Sequence, residues 1–372
     1  MSNIKSPYRY DHVGSFLRPE ELKQARKDFK AGKVSREELT AIEDKAITAL
    51  VEKQKKAGFH IITDGEYRRE FWHLDFMWGF EGVAHENTGS GVQFSGELAA
   101  LDDTYLVGKI KAAPHPFVEY FKFLKQFEDE QTVAKYTIPA PAQTFQQMIV
   151  PQNIEQTRKF YSTNEELIQD IGAAYQAVIK QFYEAGCRDL QLDDCTWGAV
   201  VGDAAKQRYE SLGIDIEDVK KQLLKVNNLA LANKPADMVI TSHICRGNYH
   251  STYFTSGPYD SVADYVFAHE NVDALLLEYD DERSGGFEPL AKVSPDKKVV
   301  LGLITSKTPE LEDKQAVIAR IHEAAKFIPL ERLCLSPQCG FASCEIGNKL
   351  TEEEQWAKLR LVKEVAEEVW GK

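Results

Sequence analysis

Short apolar runs and longer amphipathic stretches alternate almost from end to end of the chain, and few architectures accommodate that rhythm. Strands buried on both faces by the helices that connect them read as near-continuous apolar segments, which is the signature of a parallel sheet. The spans 11–16, 60–66, 134–141, 188–194, 238–245, 272–280, 298–305 and 332–340 are the predicted strands. Between them, 19–58 and 163–186 read as helical. Pro19 suits a first turn, Thr163 an N-cap and Gly186 a C-terminal stop. Thr351 with Glu354 forms a capping-box pattern at the start of the last helical stretch. Strand–helix units in this number predict an α/β fold of the (β/α)8 TIM-barrel type. One catalytic domain is expected over 1–372. The Gly-rich stretch 79–115 breaks the rhythm and is predicted to be a hairpin-like insertion after the second strand.

Composition narrows the partners. Asp plus Glu number 58 against 45 Lys plus Arg, a formal net charge of −13, which disfavours nucleic acid or an anionic membrane. No apolar run approaches the roughly 18 residues of a membrane helix, and a cytoplasmic location is expected. Six cysteines in 372 residues are too sparse for a disulfide framework, so free thiols or metal ligands are expected.

In a β/α barrel the chemistry sits at the C-terminal ends of the strands. Those ends carry Gly14 and Ser15, then Asp64 and Glu66, then Asp193 and Asp194, then His243 with Cys245, Glu278 and Cys339. Residues two apart on a strand share a face, so His243 and Cys245 can reach one ion. With Glu278 from the next strand and Cys339 from two strands further on, they make a ligand set that Zn2+ accepts. Cys344 is the reserve ligand, Cys334 reads as core, and Cys195 reads as a packing residue. His60, His269 and His322 read as surface or satisfied residues.

Two thiolates, an imidazole and a carboxylate leave zinc electron-rich. Such a site activates a bound thiol as a nucleophile, where nitrogen and oxygen ligands are more usual for hydrolysis. Thiol alkylation is the expected reaction. Glu66 and Asp193 are placed to pair with a substrate ammonium group, and the Gly14–Ser15 turn offers donors for a carboxylate.

The segments DHVGSFLRP, ITDGEYRRE, LQLDD, SHICRGN, LLLEYD and SPQCGF resemble, in order, the motifs of the catalytic half of cobalamin-independent methionine synthase, over about residues 10–345. The resemblance implies that His243, Cys245, Glu278 and Cys339 hold catalytic zinc and that Ser15, Glu66 and Asp193 hold the amino-acid end of homocysteine. It implies an S-methyltransferase that forms methionine, with 5-methyltetrahydrofolate or another methyl carrier as donor. Phe145 stands where the full-length family has a tryptophan that stacks on the folate. Lys307 or Thr308 stands for a histidine proposed to protonate the departing folate, and Ala199 for a glutamate that contacts the pterin. Two other readings remain at this stage: alkylation or lyase chemistry on another thiol, of the epoxide–thiol type, and a non-catalytic thiol-binding zinc barrel.

Overall fold

The computed structural model describes residues 6–89 and 91–371. Its strands in chain order are β1 (Ile61–Ile62), β2 (Glu81–Glu86), β3 (Gly91–Gln93), β4 (Leu98–Ala100), β5 (Asp103–Lys111), β6 (Val133–Pro139), β7 (Asp189–Asp194), β8 (Val239–Ile244), β9 (Ala274–Glu278), β10 (Lys298–Ile304) and β11 (Leu333–Pro337). Seven of them make one parallel, curled sheet in the order β1-β6-β7-β8-β9-β10-β11. This is the TIM-barrel class that the alternation predicts, and β6, β7, β9 and β11 are buried along their whole length. Inside the sheet, Leu276, Val300 and Cys334 lie side by side in register and pack with Val13.

The predicted first strand, 11–16, is a correction. Only Tyr10 makes a strand-like bridge, to Leu335, with Asp11 N–H donating to the Leu335 carbonyl at 3.0 Å. Beyond it the Asp11 carboxylate accepts the backbone N–H groups of His12 and Val13, and Val13 turns to φ 70°. A side chain that captures its own neighbours' amides competes with a ladder and bends the chain. The segment then reaches the other sheet edge through turns: Phe16 N–H donates to Gly65 C=O at 3.2 Å and Thr63 Oγ1 to Gly14 C=O at 2.8 Å. Residues 9–16 thus close the barrel between β11 and β1.

The helical stretch 19–58 divides into Glu20–Lys30 and Arg36–Lys56. Gly32, at φ 70°, stops the first, and Ser35 with Glu38 starts the second through a capping box. Capping boxes at Thr163 with Glu166 and at Thr351 with Glu354 open the helices Asn164–Glu184 and Glu352–Trp370. Helix Asn164–Glu184 buries Leu167, Ile171, Tyr175, Val178 and Phe182, a stripe at helical spacing that covers the sheet.

The insertion is built of antiparallel pairs, β2 with β5 and β3 with β4. Its β3–β4 tip lies on the loop that follows β8. Ser95 N–H donates to Tyr253 C=O at 3.1 Å, and Glu97 accepts from His250 at 2.6 Å and from Lys349 at 2.5 Å. The Phe94 ring packs on those of Tyr249 and Phe254.

Behind the sheet, Asp194 and Glu270 share the Asn227 amide, at 2.9 and 3.0 Å. Burial, and then Asp194, push the Glu270 carboxyl from its ordinary 4.5 up to about 8, against the smaller pull of Asn227, Lys297 and Ser242. The folded state therefore holds a proton there that the unfolded chain gives up, and the stability Glu270 contributes at low pH is lost as pH rises between about 4.5 and about 8. Glu270→Gln keeps the acceptor for Asn227 and removes that loss. Its urea midpoint is expected to exceed the parent's at pH 9 and to match it closely at pH 5; equal midpoints at both pH values would show that Glu270 does not titrate in this window.

Candidate functional site

Strand alternation sets which groups reach the mouth. His243 sits on β8 with Cys245 just past its end, Glu278 ends β9, and Cys339 follows β11 by two residues. Their ligand atoms all lie within 4.8 Å of one another, and all four side chains are buried. The Cys245 and Cys339 sulfurs are 3.8 Å apart. The backbone fixes two of the side chains: Gly247 N–H donates to Cys245 Sγ at 3.2 Å and Arg246 N–H to Glu278 Oε1 at 3.1 Å.

The remaining atoms test whether a metal fits. Both His243 ring nitrogens and Glu278 Oε2 are buried without a hydrogen-bond partner. Unpaired polar atoms in a buried site are costly, and a divalent cation would satisfy one His243 nitrogen together with Glu278 Oε2. Burial opposes protonation of His243, but the nearby Cys339 and Glu278 prevail and raise its pKa. Cys245 is held well above the usual thiol range chiefly by Cys195, and Cys339 chiefly by Cys245. Thiols that keep each other protonated, beside an imidazole drawn toward its cation, are a donor set suited to a soft or borderline divalent ion.

Two carboxylates share the mouth. Glu66 occupies a left-handed position, φ 63°, in the turn after β1, where its Oε1 accepts from Thr137 Oγ1 at 3.0 Å and lies 3.7 Å from Arg69 Nη1. Its Oε2 is buried and unpaired. Asp193, at the end of β7, accepts from Gln191 Nε2 at 2.7 Å. Burial raises the pKa of both; Arg69 draws Glu66 back down while Asp193 pushes it further up. For Asp193 the result is about 6. A pair of buried carboxylates that repel one another is a ready receptor for a cation. Strand alternation turns Asp194 the other way, onto Thr196 and Asn227.

Ser15 locks onto the loop of Cys339. Its Oγ accepts Ala342 N–H at 3.2 Å and its carbonyl accepts Phe341 N–H at 2.9 Å. Gly340 permits this approach, because a Cβ there would collide with the Ser15 hydroxyl. Gly14 is required likewise, since its Cβ would stand 2.8 Å from Thr137 Cγ2.

Other expectations come apart. Phe145 is fully buried in the main core on helix Pro141–Ile149 and presents no ring face to a ligand. Cys344, the reserve ligand, bridges to Phe71 and packs with Leu74 and Met77, outside the group of four. Cys195 is not remote packing: its thiol neighbours Cys245 and feels Cys339 and Glu278. Lys307 is buried with an unpaired ammonium nitrogen, whereas Thr308 is exposed. His12, His73 and His115 are buried, and burial lowers the pKa of each, so they are neutral core residues. Sequence reasoning missed Gln191, Thr137 and Arg69, which hold the two carboxylates. Gln191 carried a signal, being a polar residue two before Asp193 and therefore on the same face of β7.

Residues 11–368 match the family model described as cobalamin-independent synthase, catalytic domain. The Bacillus subtilis protein YxjH is 46% identical over 98% of this chain and 96% of its own. A methionine synthase of Saccharolobus solfataricus is 25% identical over 88% of this chain and 86% of its own. A crystal structure of a putative vitamin-B12 independent methionine synthase from Listeria monocytogenes superposes with a TM-score of 0.78 at 39% identity, covering 100% of both chains. The fold is also that of a B12-independent methionine synthase from Shewanella sp. W3-18-1 in complex with selenomethionine, with a TM-score of 0.72 at 20% identity over 97% of both chains. Family and neighbours together indicate methyl transfer of the B12-independent methionine-synthase kind. With the catalytic-domain match running nearly the length of the chain, this protein belongs to the cobalamin-independent synthase family.

Proposed function

We propose that the chain, acting as one catalytic barrel domain over 1–372, transfers a methyl group to the thiol of homocysteine and releases methionine. The observation that carries this reading is the convergence of His243, Cys245, Glu278 and Cys339 within 4.8 Å at the barrel mouth that also holds Glu66 and Asp193. Those four residues would hold Zn2+, which supplies Lewis acidity that lowers the pKa of a thiol and keeps it nucleophilic near neutral pH.

The chain's own groups do the rest. Glu66 and Asp193 take the substrate ammonium group, which relieves their mutual repulsion. The Ser15 turn, tied to the Cys339 loop, takes the carboxylate. With both ends of the amino acid fixed, the thiol is directed toward the cysteine–histidine cluster, and orientation of this kind supplies a large share of a bimolecular rate gain. The hairpin tip packs on the loop that follows β8, the strand that carries His243. Selenomethionine in the Shewanella neighbour is the selenium counterpart of the product proposed here. The donor is 5-methyltetrahydrofolate or another methyl carrier.

The test is a donor screen. Zinc-loaded protein is incubated with homocysteine and, separately, 5-methyltetrahydrofolate, methylcobalamin or S-methylmethionine, and methionine is quantified. Methionine from at least one donor is expected. None from any donor, with an epoxide alkylating a thiol instead, would replace this reading by the alkyltransferase one.

A further inference from the structure

We propose that Gln191 is a positioning residue for the substrate, fixing Asp193 through a buried Lys135–Asp11 clamp that also anchors the Ser15 turn. The inference rests on the homocysteine reading above and deepens it.

Gln191 is fully buried, and its two amide atoms have opposite duties. Nε2 donates to Asp193 Oδ1 at 2.7 Å, while Oε1 accepts from Lys135 Nζ at 2.9 Å. A glutamine amide could in principle sit either way round. Here it cannot, because an ammonium group only donates and therefore demands the carbonyl. Lys135 dictates which end of Gln191 meets Asp193, and that end is the donor.

Lys135 is itself held. It donates to Asp11 Oδ1 at 2.6 Å, and the same oxygen accepts the backbone N–H of His12 at 2.6 Å and of Val13 at 2.9 Å. That places Asp11 at the base of the turn that carries Ser15. One buried network thus runs from the backbone amides of His12 and Val13, just before the Ser15 turn, to the group proposed to take the substrate ammonium. Among the described residues Gln191 is the hydrogen-bond donor to the Asp193 side chain, so it alone pins Oδ1 and leaves Oδ2 for a ligand. Without it, Asp193 would be free to swing toward Arg69, whose charge attracts it. The ammonium receptor would then open.

The experiment is a double-mutant cycle on the zinc-loaded enzyme, with homocysteine binding measured by calorimetry and KM and kcat measured with a working donor. Gln191→Met keeps length and removes the donor. Gln191→Glu keeps the partner of Lys135 and serves if the methionine variant folds poorly. Either should raise the homocysteine Kd and KM about tenfold, the usual scale for a hydrogen bond to a charged group, with zinc content intact and kcat nearly unchanged. In an Asp193→Ala background, which removes the acceptor that Gln191 pins, the same substitution should add less than about a twofold change, because a residue that acts through Asp193 has nothing left to act on. Unchanged homocysteine affinity in the single variants overturns the inference. So does a full tenfold penalty that persists in the Asp193→Ala background, which would mark a merely structural role. If the parent enzyme itself fails to bind homocysteine, the functional reading falls and this inference with it; if the parent binds and the Gln191 variants bind equally well, only this inference falls.

Discussion

Cys339→Ser is expected to lose bound zinc and methyl transfer together. A serine hydroxyl is harder than a thiolate and keeps its proton at neutral pH, so the set of two sulfurs, one nitrogen and one oxygen falls to one sulfur, one nitrogen and one oxygen. Removing even an outer-shell partner costs metal affinity about 10- to 100-fold, and removing a ligand should cost on the order of a hundredfold or more. The fold should survive, because Cys339 lies beyond the end of β11 and the replacement is smaller. Metal content after dialysis, activity and far-UV circular dichroism are the three readouts. Metal and activity that both persist would remove Cys339 from the ligand set. The substitute would then be Cys195, the thiol already beside Cys245, rather than Cys344, which is packed elsewhere.

Asp193→Asn is expected to act in two opposite directions. The substitution keeps shape and the acceptor for Gln191 but deletes a charge at the ammonium receptor. Homocysteine affinity should fall about 10- to 100-fold, the scale of a charge-assisted hydrogen bond in a desolvated site, with zinc content unchanged. Stability of the free protein should move the other way. Burial raises the folded-state pKa of Asp193 from 3.8 to about 6, so the folded chain holds more protons than the unfolded one between those values, and stability drains as pH rises through them. At pH 8 the parent protein carries that full penalty and asparagine carries none. The variant's Tm at pH 8 should exceed the parent's, and the gain should shrink toward pH 5. Loss of zinc along with homocysteine binding would instead make Asp193 part of the metal site's support.

Much of this site could be read from the sequence because the barrel converts position along a strand into position in space. His243, Cys245, Glu278 and Cys339 fall at the ends of β8, β9 and β11, and alternation along β7 separates the inward Asp193 from the outward Asp194. What local pattern could not give was long-range pairing. Lys135 and Asp11 lie 124 residues apart, and nothing near either announces the other. The segment 11–16 misled because its apolar residues satisfy a strand pattern while the Asp11 carboxylate captures the amides that a ladder needs. The stretch 19–58 misled because one continuous helical pattern hid the stop at Gly32 and the fresh start at Ser35. Phe145 followed from likeness to a family position, but the helix that carries it turns that face into the core.

The 94 residues between Cys245 and Cys339 also set a timetable for biogenesis. At ordinary synthesis rates the ribosome needs about 5 to 20 s to travel that distance, and for that interval a nascent chain displays His243 and Cys245 without Cys339. Tyr10 waits far longer for its bridge to Leu335, but both partners arrive with β11, so the barrel and the four-residue cluster close in the same late event. Under the zinc reading proposed above, stable loading would belong to the finished chain: a translation product arrested before β11 would leave its thiols open to oxidation and its zinc to competitors.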